Sequence, residues 1–102
     1  GVAYKKDSSD FRESPALDVM GYLHGKGAKL FYHDPHIPEF SFDNKVLHSE
    51  SLDFQKLSSY DASLILTDHT DFNAQMIVDA SRLVIDTRNL TQGIVSKKIV
   101  RL

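Results

Sequence analysis

The side chains best suited to chemistry in this sequence are cations that follow apolar runs. Lys5, Lys6 and Arg12 come after Gly1-Val2-Ala3-Tyr4, and Arg88 comes shortly after Leu83-Val84-Ile85-Asp86. An arginine offers a planar, bidentate fork and a lysine a compact point charge, so together they suit an anionic ligand. The competing reading is a solvated loop in which they pair with Asp7, Asp10 and Glu13. His33-Asp34-Pro35-His36 sets two histidines and an aspartate within four residues. A metal site would need further ligands, and none has a recognisable spacing; Asp34-Pro35 reads more simply as a turn. Thr67-Asp68-His69 offers an acid–base pair, or else a turn leading into a helix. His24 and His48 have no partner visible in the sequence.

A glycine-rich phosphate cradle is missing. Nothing resembles G-x-G-x-x-G between the first apolar run and the first helix, and no Walker motif occurs. Gly25-Lys26-Gly27 follows a helix and reads as its stop signal. A nucleotide would therefore be held by side chains on loops. Asn89-Leu90-Thr91 fits a glycosylation acceptor but is read as a chance match, because no secretory signal accompanies it.

These residues need elements to position them. Gly1–Tyr4 reads as the end of a strand whose beginning is missing, so the chain is expected to be a fragment of something longer. Residues 5–14 form a polar loop. Ser14-Pro15 starts a helix, with Ser as N-cap and Pro in the first turn. Ala16, Val19, Met20 and Leu23 form its apolar stripe. Residues 28–32 predict a strand closed by Asp34-Pro35, and residues 33–45 a loop. A weak strand is expected at 45–48, a short helix over 51–59 and a buried strand at 62–67. A helix capped by Asp71 carries Phe72, Met76, Ile77 and Ala80. Strands follow at 83–86 and 99–102, separated by a polar loop at 87–93.

Strands alternate with helices, and the strands are continuous apolar runs. That predicts an α/β fold with a Rossmann-like, doubly wound parallel sheet whose first strand is truncated. In such sheets ligands bind beyond the carboxyl ends of the strands. The loops at 5–14, 33–38, 67–71 and 87–93 thus become the candidate site, and the cations converge on one edge.

Composition narrows the classes. The chain has 102 residues, no cysteine and a formal net charge of −2. One domain, residues 1–102, is expected. Disulfide scaffolds, cysteine-based zinc sites and thiol nucleophiles are excluded within this chain. No apolar run approaches the ~18 residues of a membrane span. A slightly acidic balance, with no basic residues interleaved among the phenylalanines, argues against nucleic acid as a partner. Without a signal sequence, a cytoplasmic location is expected.

The run from Gly1-Val2-Ala3-Tyr4-Lys5-Lys6-Asp7 through Asp10, Arg12, Glu13, Ser14, Pro15 and Ala16 resembles the start of a known domain. Tyr32-His33-Asp34-Pro35, Tyr60-Asp61-Ala62, Thr67-Asp68-His69 and Val84-Ile85-Asp86-Thr87-Arg88-Asn89 agree with it in order. The domain is the C-terminal, UDP-binding domain of the UDP-glucose/GDP-mannose dehydrogenase family. The Thr-Asp-His and Asp-Thr-Arg-Asn variants look most like the UDP-N-acetylglucosamine 6-dehydrogenases. UDP-glucose, UDP-N-acetylmannosamine and GDP-mannose enzymes are the alternatives within the family. Outside it stands a regulatory α/β module such as a receiver domain, but cations rather than paired acids follow the first run.

The resemblance implies oxidation of a sugar C6 alcohol to a carboxylate with two NAD⁺. It implies an N-terminal NAD domain, a middle domain that carries the thiol nucleophile and dimerises, and a homodimer or higher oligomer. Tyr4, Lys5 and Arg88 match the UDP-sugar-binding positions, and Arg12 matches the residue that reaches toward NAD. No residue of this chain is expected to be catalytic, and the chain alone is expected to be inactive. Ser8 and Ser9 depart from the family pattern.

Overall fold

Ser14 and Pro15 start a helix where the sequence places one. In the computed structural model, which describes residues 1–102, helix α1 runs Pro15–Gly25 and the Ser14 side chain accepts the Ala16 N–H. Ala16 and Met20 are its buried residues, and Gly27 leaves the helix at φ +93°, a left-handed conformation that glycine adopts without strain. The remaining elements are strands β1 (Glu39–Phe42) and β2 (Lys45–His48), helix α2 (Phe54–Ser59), strand β3 (Ser63–Ile65), helix α3 (Ala74–Ala80), and strands β4 (Val84–Asp86) and β5 (Ile99–Arg101).

Strands β3, β4 and β5 form a parallel sheet in that order. Ser63 stands opposite Val84 and Val84 opposite Ile99. The fold is the expected α/β class with a parallel sheet. Ladder bonds extend past the short strands: Thr87 N–H reaches the Ile65 carbonyl at 3.2 Å and Leu102 N–H the Asp86 carbonyl at 3.0 Å. Parallel pairing puts the carboxyl ends of β3 and β4 side by side. The loops that carry His69 and Arg88 therefore leave from the same edge.

Several elements differ from the sequence expectations. Residues 1–4 join no ladder. Val2 and Ala3 donate their N–H groups to the Asp34 carboxylate, and the Ala3 carbonyl accepts from the Ser14 and Thr67 hydroxyls. Side chains, not a neighbouring strand, satisfy this backbone. It also lies very close to Thr67: a Cβ on Gly1 would stand 2.6 Å from the Thr67 Cβ, so only glycine fits. Residues 28–32 are likewise unpaired as a strand, with the Tyr32 carbonyl taking a single bond from Glu50 N–H at 2.8 Å. Residues 39–42, expected within a loop, pair antiparallel with β2. Asp43 and Asn44 turn the hairpin with φ of 51° and 63°, the type I′ geometry that matches strand twist. The cap of α3 is Asn73, whose side chain accepts Met76 N–H, rather than Asp71.

Two apolar clusters form the core. One joins Val2, Ala3, Ala16, Met20, Tyr32, Ile37 and Phe40. The other joins Leu57, Ile65, Ile77, Val78, Ala80 and Val84. Ile65 faces the second cluster while its neighbour Leu66 packs on the first. Alternation along an extended chain thus puts the clusters on opposite faces, as winding on both sides of a sheet requires. No helix is long and apolar enough to cross a membrane.

Candidate functional site

A polar seam crosses the carboxyl edge of the sheet, centred on two fully buried residues, Asp34 and His69. His69 Nε2 lies 2.8 Å from Asp34 Oδ2. The same oxygen accepts the Val2 amide at 2.8 Å and the Ala3 amide at 3.2 Å, while Oδ1 accepts the His36 amide at 2.8 Å. Burial alone would raise the pKa of Asp34, but the donors from His69, Val2 and His36 outweigh it and hold the carboxyl below its ordinary value. The second nitrogen of His69, Nδ1, accepts the Asp7 N–H at 2.8 Å. Asp7 in turn receives Thr70 N–H at 2.8 Å and the Thr70 hydroxyl at 2.5 Å. Three of the four loops singled out in the sequence, 5–14, 33–38 and 67–71, are therefore tied into one network.

The first of these loops closes on itself. Tyr4 N–H donates to the Asp10 carbonyl at 2.7 Å, leaving the Tyr4 ring half exposed. Lys5 and Lys6 are exposed, and no carboxylate lies within 4.0 Å of either. Arg12 is different. Its Nε and Nη2 donate to the two carboxylate oxygens of Asp10 at 3.1 and 3.2 Å. These bonds hold the Asp10 carboxyl below its ordinary value and the Arg12 guanidinium above its own. The pair is solvent-exposed, so it orients Arg12 more than it stabilises the fold. Glu13 makes no hydrogen bond and stands at φ 58°; the helix cap is Ser14.

The fourth loop is built by Asp86, at the end of β4 and fully buried. Its Oδ1 accepts the amides of Arg88 at 3.0 Å and Leu90 at 3.2 Å, and Oδ2 accepts the amide and hydroxyl of Thr91 at 2.8 and 2.6 Å. Burial opposes ionisation, but the Thr91, Arg88 and Leu90 donors prevail and Asp86 sits below its ordinary range. The loop backbone is thus set at both ends of Arg88, whose guanidinium enters no ion pair with the chain's own carboxylates. Sequence reasoning met Asp86 and Thr91 only inside longer motifs and gave neither a role in building this loop. A readable signal was present: an aspartate closing a buried strand with a threonine five residues on, since Asp side chains habitually bond nearby backbone amides.

The histidine-rich segment is engaged elsewhere. His33 Nδ1 lies 2.6 Å from the Glu50 carbonyl, and Asp34 is saturated by its donors. The side chains of Asp7, His36 and His69 come within 4.8 Å of one another. However, the His69 Nδ1 lone pair already receives the Asp7 amide, so the trio does not present three open donors. His36 Nε2 is buried without a hydrogen-bond partner, 3.7 Å from the Asp71 carboxylate.

The arrangement can bind an anion. Lys5, Lys6 and Arg88 stand without internal partners on loops of the sheet's carboxyl edge: the buried Asp86 holds the Arg88 amide, while Lys5 and Lys6 lie between Ala3, whose amide Asp34 holds, and Asp7, whose amide His69 holds. The chain matches the UDP-glucose/GDP-mannose dehydrogenase family, UDP binding domain, over residues 1–93. It is 31% identical to a UDP-N-acetyl-D-mannosamine dehydrogenase of Methanococcus vannielii, covering 96% of this chain and 23% of that protein. It is 34% identical to the UDP-glucose 6-dehydrogenase TuaD of Bacillus subtilis, over 88% of this chain and 21% of that protein. A 39-residue stretch is 46% identical to a UDP-glucose 6-dehydrogenase of Gallus gallus, 38% of this chain and 8% of that protein. The chain spans less than a quarter of the length of these relatives. On the match across residues 1–93, the chain belongs to the UDP-glucose/GDP-mannose dehydrogenase family, as its UDP-binding domain.

Proposed function

We propose that this chain binds the UDP moiety of a UDP-sugar for an NAD-dependent 6-dehydrogenase, with Tyr4, Lys5 and Arg88 as the ligand-binding residues. The observation that carries this reading is the absence of internal partners for the Lys5 and Arg88 side chains on loops whose backbones are held at Asp7, Arg88 and Leu90. A diphosphate brings about two negative charges, and desolvating them requires such cations. Lys5 supplies a point charge to phosphate or sugar oxygens, Arg88 a bidentate fork, and the Tyr4 ring a flat apolar face. Arg12, oriented by Asp10 with Nη1 left over, is placed to reach NAD from a separate domain when the cleft closes. NAD, when bound, accepts hydride from the sugar; the residues of this chain bind and orient.

The sugar is read as an N-acetylhexosamine, UDP-N-acetylglucosamine first. The Thr67-Asp68-His69 and Asp86-Thr87-Arg88-Asn89 variants support it, and a relative named for UDP-N-acetyl-D-mannosamine supports the acetamido class. A relative named for UDP-glucose supplies the competing substrate. In the full-length enzyme, a homodimer or higher oligomer, two NADH should form per UDP-sugar.

The test is calorimetric titration of UDP into the protein and into Lys5→Ala and Arg88→Ala. Each variant should bind roughly 10- to 100-fold more weakly, the cost of one charge-assisted bond. Equal affinity in all three proteins would remove the site assignment. The rate of NADH formation by the full-length enzyme with each of the three UDP-sugars then ranks the substrates.

A further inference from the structure

His69 is buried completely and makes two bonds of opposite sense. An amide nitrogen only donates, so the nitrogen facing Asp7 N–H, Nδ1, carries no proton. The proton is on Nε2 and is donated to Asp34. The ring is therefore a connector of fixed tautomer: Asp34 orients it, and it presents one lone pair to the loop that carries Tyr4, Lys5 and Arg12. What it holds there is not an easy backbone. Asp7 stands at φ 59°, a sparsely populated region for a residue with a Cβ. Its anchors are the His69 ring and the amide and hydroxyl of Thr70.

We propose that His69 is a positioning residue for nucleotide binding: through Nδ1 it fixes the Asp7 amide, and so holds Tyr4 and Lys5 in the ligand-ready loop. This inference rests on the UDP-binding reading above. It goes beyond it by assigning a function to a residue that would touch no ligand. Asp34 acts one step further back, by setting the tautomer.

The two bonds of His69 can be separated by substitution. In His69→Asn, the side-chain oxygen falls near the place of Nδ1 and still accepts from Asp7, but the reach to Asp34 is lost. In His69→Gln, the longer amide still donates to Asp34, but Asp7 N–H loses its acceptor. Thermal stability should follow the Asp34 bond and nucleotide affinity the Asp7 bond. The measurements are the melting temperature, hydrogen exchange of the Asp7 amide in ¹⁵N-labelled protein, and calorimetric UDP affinity. His69→Gln should melt near wild type, exchange Asp7 about 10-fold faster and bind UDP about 5-fold more weakly. His69→Asn should melt lower, yet keep Asp7 exchange and UDP affinity within about 2-fold of wild type. If UDP affinity follows melting temperature across the two variants, His69 is a structural residue only and the proposal fails. Thr70→Val, at an exposed position, removes one bond to the Asp7 side chain and leaves the His69–Asp7 bond in place, so UDP affinity should stay within about 2-fold of wild type; a loss as large as that of His69→Gln would make Thr70 the anchor and overturn the proposal. A protected, His69-dependent Asp7 amide in a protein that does not bind UDP overturns the nucleotide reading on which the inference rests. An Asp7 amide that exchanges freely in wild type overturns the anchor itself.

Discussion

Asp86 shows how one buried carboxylate can set a binding loop. It accepts four hydrogen bonds from the five residues that follow it. Asn in its place can offer an oxygen to the Arg88 and Leu90 amides. Its NH₂ group then faces the Thr91 amide, a donor against a donor. The Thr91 hydroxyl can rotate to accept, but the amide cannot. Asp86→Asn should therefore cost about 1–3 kcal/mol of stability, read by urea unfolding. It should also weaken UDP binding, because Arg88 loses its fixed backbone. Normal stability would show that the Thr91 amide bond contributes nothing net. The cations at this edge were legible in the sequence because Lys and Arg are rarely buried and stand out after apolar runs. The carboxylates behind them were not. A buried aspartate and a loop aspartate look the same until the chain folds over one of them.

At the scale of elements, the helix caps carry separable loads. Ser14 caps α1 and also donates to the Ala3 carbonyl at 3.2 Å, within a buried setting. Asn73 caps α3 at an exposed position and bonds only within its own helix start. Ser14→Ala should lose about 1–2 kcal/mol and Asn73→Ala about 0.5–1 kcal/mol. Thr67 also donates to the Ala3 carbonyl at 2.8 Å, so Ser14→Ala leaves that acceptor satisfied. Paired thermal melts of the two variants check the order, and a larger loss at Asn73 would reverse it. The α1 boundaries were legible because cap, proline and glycine all act locally. The shift of the α3 cap from Asp71 to Asn73 was not, because a turn intervenes. Phe72 N–H bonds the His69 carbonyl at 3.1 Å and delays the helix. Hairpin β1–β2 left a readable trace, the alternation of Glu39-Phe40-Ser41-Phe42 before Asp43-Asn44. The segments at 1–4 and 28–32 read as strands from composition. Strand character, however, needs a partner's backbone, and here side chains supply the bonds.

At the scale of the whole molecule, the two apolar clusters are joined by the polar seam, and the seam depends on one ionised group. Asp34 binds its proton less tightly in the folded protein than an ordinary aspartate, because the donors from His69, Val2 and His36 outweigh the effect of burial. Asp86 is depressed with the same sign. On acidification the unfolded chain therefore takes up protons that the folded chain refuses, and stability falls. Both contributions are fully present above the ordinary aspartate range of about 4 and are lost progressively below it. The contribution of Asp34 and Asp86 to stability should be level down to about pH 5 and decline on further acidification, as followed by urea midpoints below that pH. Asp34→Asn separates the seam from the rest. One side-chain oxygen can still serve Val2, Ala3 and His69, but the NH₂ group meets the His36 amide. The variant should be less stable at pH 7 by about 1–3 kcal/mol and show a shallower acid decline. If Asp34→Asn keeps the full wild-type decline, the acid sensitivity lies with Asp86 and the exposed carboxylates. The seam would then join the two cores without contributing to the pH dependence of the fold.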